Sequence, residues 1–374
     1  MGIVSVTLKN FRNFEDQSVD LNSEINFFIG RNGQGKSNFL EAIYFVAYLR
    51  SLRTSQIKNL VKLNTKEAFI DLNFQENHQE DSKNKNWKIL LSSEGVQNIR
   101  INGAELNSTR EALGQLPLIF FQNEDLEIIS GSAEKRRRFL DFFLASWFPL
   151  YSLNLSQYLA TLKQKNSYLK KVVIEKISAD TDLLATYNQS LAEKADVIEK
   201  YRYQTIQNLN AAMQKLFKDI FNLNIEIRLD WVNETGPYAA DWRERFLALL
   251  NRGMAQEVKK GRSLIGPHHD DFYIYWNNLN ARYFCSQGQK RLLALGLRLF
   301  EAQRLKEQGL EAVYILDDVL LELDQDRVKS FLKFFTAPEA ALPQVLFAGT
   351  SSESFPEDWR LRAKVFEVLD GKIR

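Results

Sequence analysis

One cysteine, Cys285, stands in the 374 residues of the chain, so no internal disulfide can form and no paired CxxC is present to hold zinc or an iron–sulfur cluster. This favours a reducing cytoplasm. Eighteen apolar residues never occur in a row, so no membrane-spanning helix is expected. The opening MGIVSVTLKNFRNF alternates like a strand and has neither a basic leader nor an apolar core, so no secretory signal is expected. Charge of one sign is lacking too. A formal net charge of +2 excludes a wholesale cationic coat and leaves nucleic-acid contact to local clusters. Glycine is missing between Gly131 and Gly236, and proline between Pro149 and Pro237, so the stretch from Leu150 to Thr235 predicts a helical insertion.

With 45% hydrophobic residues, the chain can bury two domain cores or one large one. Short β-branched runs at Ile3 to Leu8 and Ile25 to Ile29 predict strands, and the second leads through a glycine-rich turn into a helix over Ser37 to Tyr48. Ala68 to Phe74, Trp87 to Ser92 and Val96 to Ile101 alternate as an antiparallel group with Glu94-Gly95 and Asn102-Gly103 as turns; the polar His78 to Asn86 predicts a loop. In the insertion, Leu155, Leu159, Leu162, Leu169 and Val173, with Asn166 in register, and then Leu184, Tyr187, Leu191, Ile198, Leu209 and Leu216 predict two long antiparallel helices turning at Ser178 to Asp182. Strands return at Phe272 to Trp276, Val313 to Leu316, Val345 to Ala348 and Val365 to Leu369, so the two ends of the chain are expected to form one α/β domain split by a helical arm.

Gly30-Arg31-Asn32-Gly33-Gln34-Gly35-Lys36-Ser37 fits the phosphate-binding P-loop pattern between a strand and a helix. Its glycines let backbone N–H groups turn toward phosphates, Lys36 reaches the β and γ phosphates of ATP, and the Ser37 hydroxyl ligates Mg2+. Val313 to Leu316 delivers Asp317 and Asp318 at a strand's carboxyl end, the first to hold the metal and the second to activate water. Between these motifs, Cys285-Ser286-Gln287-Gly288-Gln289 opens a predicted helix and resembles the signature segment of ABC and SMC ATPases, whose serine faces the γ phosphate of ATP held by a partner subunit. Glu322-Leu323-Asp324 stands where the D-loop of that class follows, and Thr350 at the switch position.

Further blocks resemble the RecF family of bacterial recombination mediators across almost the whole chain: Asn10 to Phe14, Gly35 to Ile43, Arg50 to Ser55, Phe120 to Leu126, Gly131-Ser132, Arg136 to Asp141, and Gly266-Pro267-His268-His269-Asp270-Asp271. His269 replaces a usual arginine, Gln122-Asn123 a common Ser-Pro pair, and Ala348-Gly349 interrupts a threonine-rich switch. The resemblance implies an ABC/SMC-type P-loop ATPase head, with a mixed sheet and an antiparallel β subdomain, over residues 1–130 and 252–374, and an inserted long-helix arm over 131–251. It also implies that Gln122 joins the nucleotide site, and that an aspartate at 318 suits slow hydrolysis. The implied function is an ATP-closed homodimer binding gapped DNA near single-strand to double-strand junctions and helping RecO and RecR load RecA; the competing expectation is the ATPase subunit of another ABC-type machine. Candidate phosphate contacts are Arg50, Arg53, Lys58, Lys62 and Lys66; Lys163, Lys165, Lys170 and Lys171; and Lys259, Lys260 and Arg262. Lys135-Arg136-Arg137-Arg138 either joins them or orients the arm by pairing with acidic neighbours.

Overall fold

The computed structural model describes residues 1–76, 84–106, 109–112, 114–320, 323–336, 342–353 and 355–374. The strands in chain order are β1 Gly2–Phe11, β2 Phe14–Asp20, β3 Ile25–Ile29, β4 Glu67–Gln75, β5 Asn84–Ser92, β6 Gly95–Ile101, β7 Ala104–Glu105, β8 Leu118–Gln122, β9 Ile227–Val232, β10 Asp271–Trp276, β11 Leu279–Asn280, β12 Val313–Asp317, β13 Val345–Gly349, β14 Ala363–Leu369 and β15 Lys372–Ile373. The helices are α1 Lys36–Tyr48, α2 Thr109–Ala112, α3 Leu126–Ser130, α4 Ala133–Trp147, α5 Pro149–Glu175, α6 Thr181–Asp219, α7 Trp242–Lys260, α8 Ala281–Phe284, α9 Gln287–Glu307, α10 Gln325–Leu332 and α11 Glu357–Arg362. Two compact units emerge, one of Met1–Asp125, Leu216–Leu223 and Leu295–Arg374, the other of Leu126–Lys215 and Asn224–Ala294. This division differs from the expected boundaries at 131 and 251, chiefly because residues 252–294 group with the long helices.

The first unit holds two sheets. One is antiparallel in the order β2-β1-β4-β5-β6-β7; the other runs β15-β14-β3-β13-β12-β8, with β14, β3, β13, β12 and β8 parallel. Parallel strands covered on both faces read as apolar runs, which is what Val313 to Leu316 shows; in Ile25-Asn26-Phe27-Phe28 the buried Asn26 interrupts the run and its side chain bonds to the Asn22 backbone. Helix α1 packs against strands of both sheets and is buried almost all round from Phe39 to Tyr48. Phe39 meets Phe14 from one sheet and Phe28 from the other, and each such side chain withdrawn from water contributes about 1.5–3 kcal/mol. Helix α1 is therefore fixed on both sides. Most of the predicted loop from His78 to Asn86 lies outside the described residues; 84–86 belong to β5.

In the second unit α5 and α6 run antiparallel, since Tyr151 meets Arg202, Lys165 meets Asn188, and Tyr168 meets Asp180 at the turn. The buried stripe of α5 differs from the expected one. Tyr151, Asn154, Tyr158, Leu162, Lys165, Leu169 and Val172 face inward, while Leu159 and Val173 are exposed. Lys165 can occupy a core position because its ammonium meets Glu257 at 2.6 Å and Asn188 at 2.6 Å. Two strand expectations are corrected. β10 does not join the parallel sheet but pairs antiparallel with β9 and β11, and β9 lies inside the stretch that lacks glycine and proline and was expected to be wholly helical. Ile227, Leu229 and Trp231 alternate there, a short period-two signal that the absence of breakers conceals.

Candidate nucleotide-binding site

Parallel pairing aligns Ile29 with Gly349, Ala348 with Asp317, and Asp317 with Gln122. Four strand ends thus converge at the carboxyl edge of one sheet, where ligands of open α/β sheets bind. The phosphate loop leaves β3 there. Gly30 is required by space, because a Cβ would fall 2.3 Å from the Val368 carbonyl oxygen. Gly35 is required by conformation as well, with φ of 118° and the Asn13 amide 2.5 Å from where a Cβ would stand. Gln34, between them, is anchored to the neighbouring chain: its side chain accepts from the Asp370 N–H at 2.7 Å, and its carbonyl accepts from Asn13 Nδ2 and the Gly371 N–H.

Asn32, Gly33, Gly35, Lys36, Ser37, Asn38, Arg53 and Asp318 line a cavity of about 230 Å³. The Lys36 ammonium is held between the carbonyls of Gly30 (2.8 Å) and Arg31 (3.0 Å), so its charge is fixed at the loop's centre. Ser37 Oγ donates to Asp317 Oδ1 at 2.9 Å. Burial raises the Asp317 carboxyl to about 6, opposed by that hydrogen bond. Asp318 adopts φ of 56°, donates its N–H to the Ala348 carbonyl, and leaves Oδ1 buried without a hydrogen-bond partner. Burial raises its carboxyl and the nearby Lys36 pulls it back.

Arg53, one of the candidate DNA-phosphate contacts, lines the cavity and donates to Asn38 Oδ1 at 3.1 Å. Its loop is tied down by Ser51, whose hydroxyl donates to the buried Glu41 (2.5 Å) and accepts the N–H groups of Arg53 and Thr54. Glu41 also holds Arg12 through two hydrogen bonds of 2.9 and 3.0 Å. A glutamate inside the apolar run from Phe39 to Tyr48 was the available signal for this knot. Asn13 and Asn38 belong to two of the blocks that carry the RecF resemblance but were given no role; Asn38 Nδ2 donates to Asn13 Oδ1 at 2.8 Å. Gln122 is placed beside Asp317, its N–H held by Asp125, which in turn accepts two hydrogen bonds from Arg298. Gly30, Arg31, Gln34, Gln122 and Asp317 do not line the cavity itself.

Ser286 belongs to the second unit and lies outside that cavity's lining. It caps α9 reciprocally: its Oγ accepts the Gln289 N–H at 3.3 Å, and Gln289 Oε1 accepts the Ser286 N–H at 2.8 Å. Its side chain is exposed. Glu322 lies outside the described residues, while Asp324 caps α10 by accepting the Arg327 N–H at 2.9 Å.

The family model described as RecF/RecN/SMC N terminal domain matches residues 2–367. A DNA replication and repair protein RecF from Staphylococcus epidermidis is 33% identical over 379 residues, with all of both chains covered. The chain belongs to the RecF family. A solved structure of the recombination mediator protein RecF-ATP in the RecFOR pathway superimposes with a TM-score of 0.89 at 31% identity, covering 100% of this chain and 97% of that one. An Smc head bound to the C-winged helix domain of ScpA shares the fold at a TM-score of 0.57 and 17% identity, covering 100% of this chain and 96% of that one.

Two of the blocks that carry the RecF resemblance meet inside the second unit. Arg136 forms a fork-to-fork pair with Asp271 at 2.7 and 2.8 Å, and Arg137 donates to the Asp270 carbonyl. Lys135 pairs with Glu127, so the basic run serves local pairing as well. Arg202, wholly buried, donates to Asp141 at 2.6 Å and to the Pro267 carbonyl at 2.7 Å, and lies 3.4 Å from Asp270. Burial lowers His268 to about 3, so its neutral ring bonds the Tyr158 hydroxyl at 2.8 Å. Glu199 accepts from Trp231 and Asn233, and burial with the neighbouring Asp270 charge raises it to about 8.

Proposed function

We propose that this RecF-family chain is an ATP-dependent DNA-binding switch that hydrolyses ATP slowly in a site completed by a second copy. ATP closes the homodimer on gapped DNA or single-strand to double-strand junctions, and hydrolysis reopens it. The RecFOR pathway named for its structural relative supports RecO and RecR as partners; the same proposal has them load RecA, in the cytoplasm on the nucleoid. No helix among the described residues is long and apolar enough to cross a membrane.

The observation that carries this reading is the hydrogen bond to Asp317 from Ser37, which lines the cavity together with Lys36. In this reading Lys36 and the loop amides hold the phosphates, and Arg53 adds a second cation. A hydroxyl beside a carboxylate is a hard-oxygen donor pair suited to Mg2+, so Ser37 and Asp317 would hold it. When bound, that ion neutralises phosphate charge. Asp318, which lines the same cavity and keeps a buried oxygen without a hydrogen-bond partner, accepts the proton of the attacking water. Ser286, at an exposed helix start, presents its hydroxyl to the nucleotide of the second copy.

Binding of the full chain to gapped and intact duplexes with and without ATP tests this. ATP is expected to raise affinity for the gapped substrate, and Asp318→Asn to prolong the ATP-bound dimer. Equal affinity in both nucleotide conditions would remove the switch.

A further inference from the structure

Two of the basic clusters that are far apart in sequence share one face of the second unit. Helix α7 ends at Gly261, whose φ of 68° reverses the chain while its N–H and that of Arg262 donate to the Glu257 carbonyl. The reversal lies on α5: a Cβ at Gly261 would stand 3.3 Å from Val173 Cγ2 and 3.8 Å from Lys170 Cα. One residue past Arg262, the Ser263 N–H donates to Asn166 Oδ1 at 2.6 Å. Beneath the surface Lys165 ties α5 to α7 through Glu257, so this lysine is removed from the candidate contacts.

What remains on the surface is Lys163 and Lys170 from α5 with Lys259, Lys260 and Arg262 from the reversal, all exposed. None has an ion-pair partner among the described residues, whereas Lys171 next to them pairs with Glu175. Lys163 and Lys170 are two helical turns apart, about 10 Å. With Leu159, Leu162, Asn166 and Ser167 they line an open groove of about 370 Å³. Unneutralised cations in a row attract a polyanion with repeated charges. The groove lining contains no aromatic ring on which an unpaired base could stack, and Asn166 and Ser167 offer short polar groups to phosphate oxygens.

We infer that this face, built from α5 and the Gly261 reversal, holds the phosphate backbone of duplex DNA. The inference rests on the DNA-binding reading above and adds the surface and the strand form. Binding is through backbone charge, so it is sequence-independent and steeply salt-dependent.

The test uses the full chain carrying Lys163→Gln, Lys170→Gln and Arg262→Gln together, with a fluorescently labelled blunt duplex titrated across a salt series. Each cation withdrawn from a phosphate lowers the slope of log affinity against log salt by about 0.9, so the triple variant is expected to flatten it by about 2.7. Lys306→Gln with Lys333→Gln, two exposed lysines of the first unit outside the candidate contacts, should leave the slope unchanged, and an unchanged melting temperature shows that the triple variant is folded. If the unmodified chain binds the duplex and the triple variant keeps its slope, this surface is wrong while the DNA reading stands. If weakening is confined to a single-stranded oligonucleotide, the duplex assignment fails. An unmodified chain that binds no DNA overturns both.

Discussion

Ser37 and Asp317, 280 residues apart in the chain, meet through a 2.9 Å hydrogen bond at the carboxyl edge of the parallel sheet. Each belongs to a different strand-end motif, and strand pairing alone brings them together through β3, β13 and β12. Ser37→Ala removes one hard-oxygen donor from the pair and leaves α1 packed. Its expected effect is a loss of magnesium-dependent ATP affinity, read by nucleotide titration at fixed and varied magnesium, with a fall of a few degrees in melting temperature from the lost bond to Asp317. Unaltered magnesium dependence would detach Ser37 from the metal.

Lys36 carries the charge at the centre of the loop. Hydrogen bonds to charged groups contribute about 1.5–3 kcal/mol, so Lys36→Ala should weaken ATP binding by about 10- to 100-fold. Calorimetric titration of the unmodified chain and the variant measures this directly. Equal dissociation constants would place the phosphates elsewhere.

Glu41, fully buried on α1, holds both Arg12 and Ser51, and Ser51 fixes the backbone before Arg53. Glu41→Gln keeps the shape and withdraws the charge. Breaking a buried charged pair costs about 3–5 kcal/mol, so the melting temperature should fall by several degrees. If the knot positions Arg53, turnover should drop more than ATP affinity. A variant that loses stability while keeping kcat would reduce Glu41 to a purely structural role.

Stability should also carry a pH signature from the second unit. Folded Glu199 keeps its proton up to about pH 8, against 4.5 for an ordinary glutamic acid. Because the folded value is raised, its stabilising contribution is complete below about pH 4.5 and is lost as pH rises through about 8. Glu199→Gln imitates the protonated form at every pH. The difference in melting temperature between the variant and the unmodified chain should therefore grow in the variant's favour from about pH 5 to about pH 8.5, and a constant difference would contradict the buried-carboxyl account.

Much of this site could be read from residues because it depends on local backbone demands. Gly30 and Gly35 are where only glycine fits, and Val313 to Asp317 is an apolar run ending in carboxylates. What escaped is long-range or satisfied by pairing. Lys165 belongs to a helix face that looks solvated until Glu257 is brought to it, and Arg53 reads as one of a basic series until Ser51 and Glu41 turn its loop into the cavity beside Lys36. The same holds for β10, whose partner β9 lies some forty residues upstream in a stretch that composition alone marks as helical.

The shared-site claim is tested most directly on Ser286, which caps α9 at an exposed position in the second unit. Ser286→Arg loses that cap, at about 1 kcal/mol, so the fold should survive. In a symmetric dimer the substitution enters both composite sites and leaves each chain's own phosphate loop untouched. Nucleotide affinity and light-scattering mass are measured on one preparation, with and without ATP. The account predicts near-normal ATP binding by a monomer that neither dimerises nor hydrolyses; an ATP-induced dimer with full turnover would contradict it.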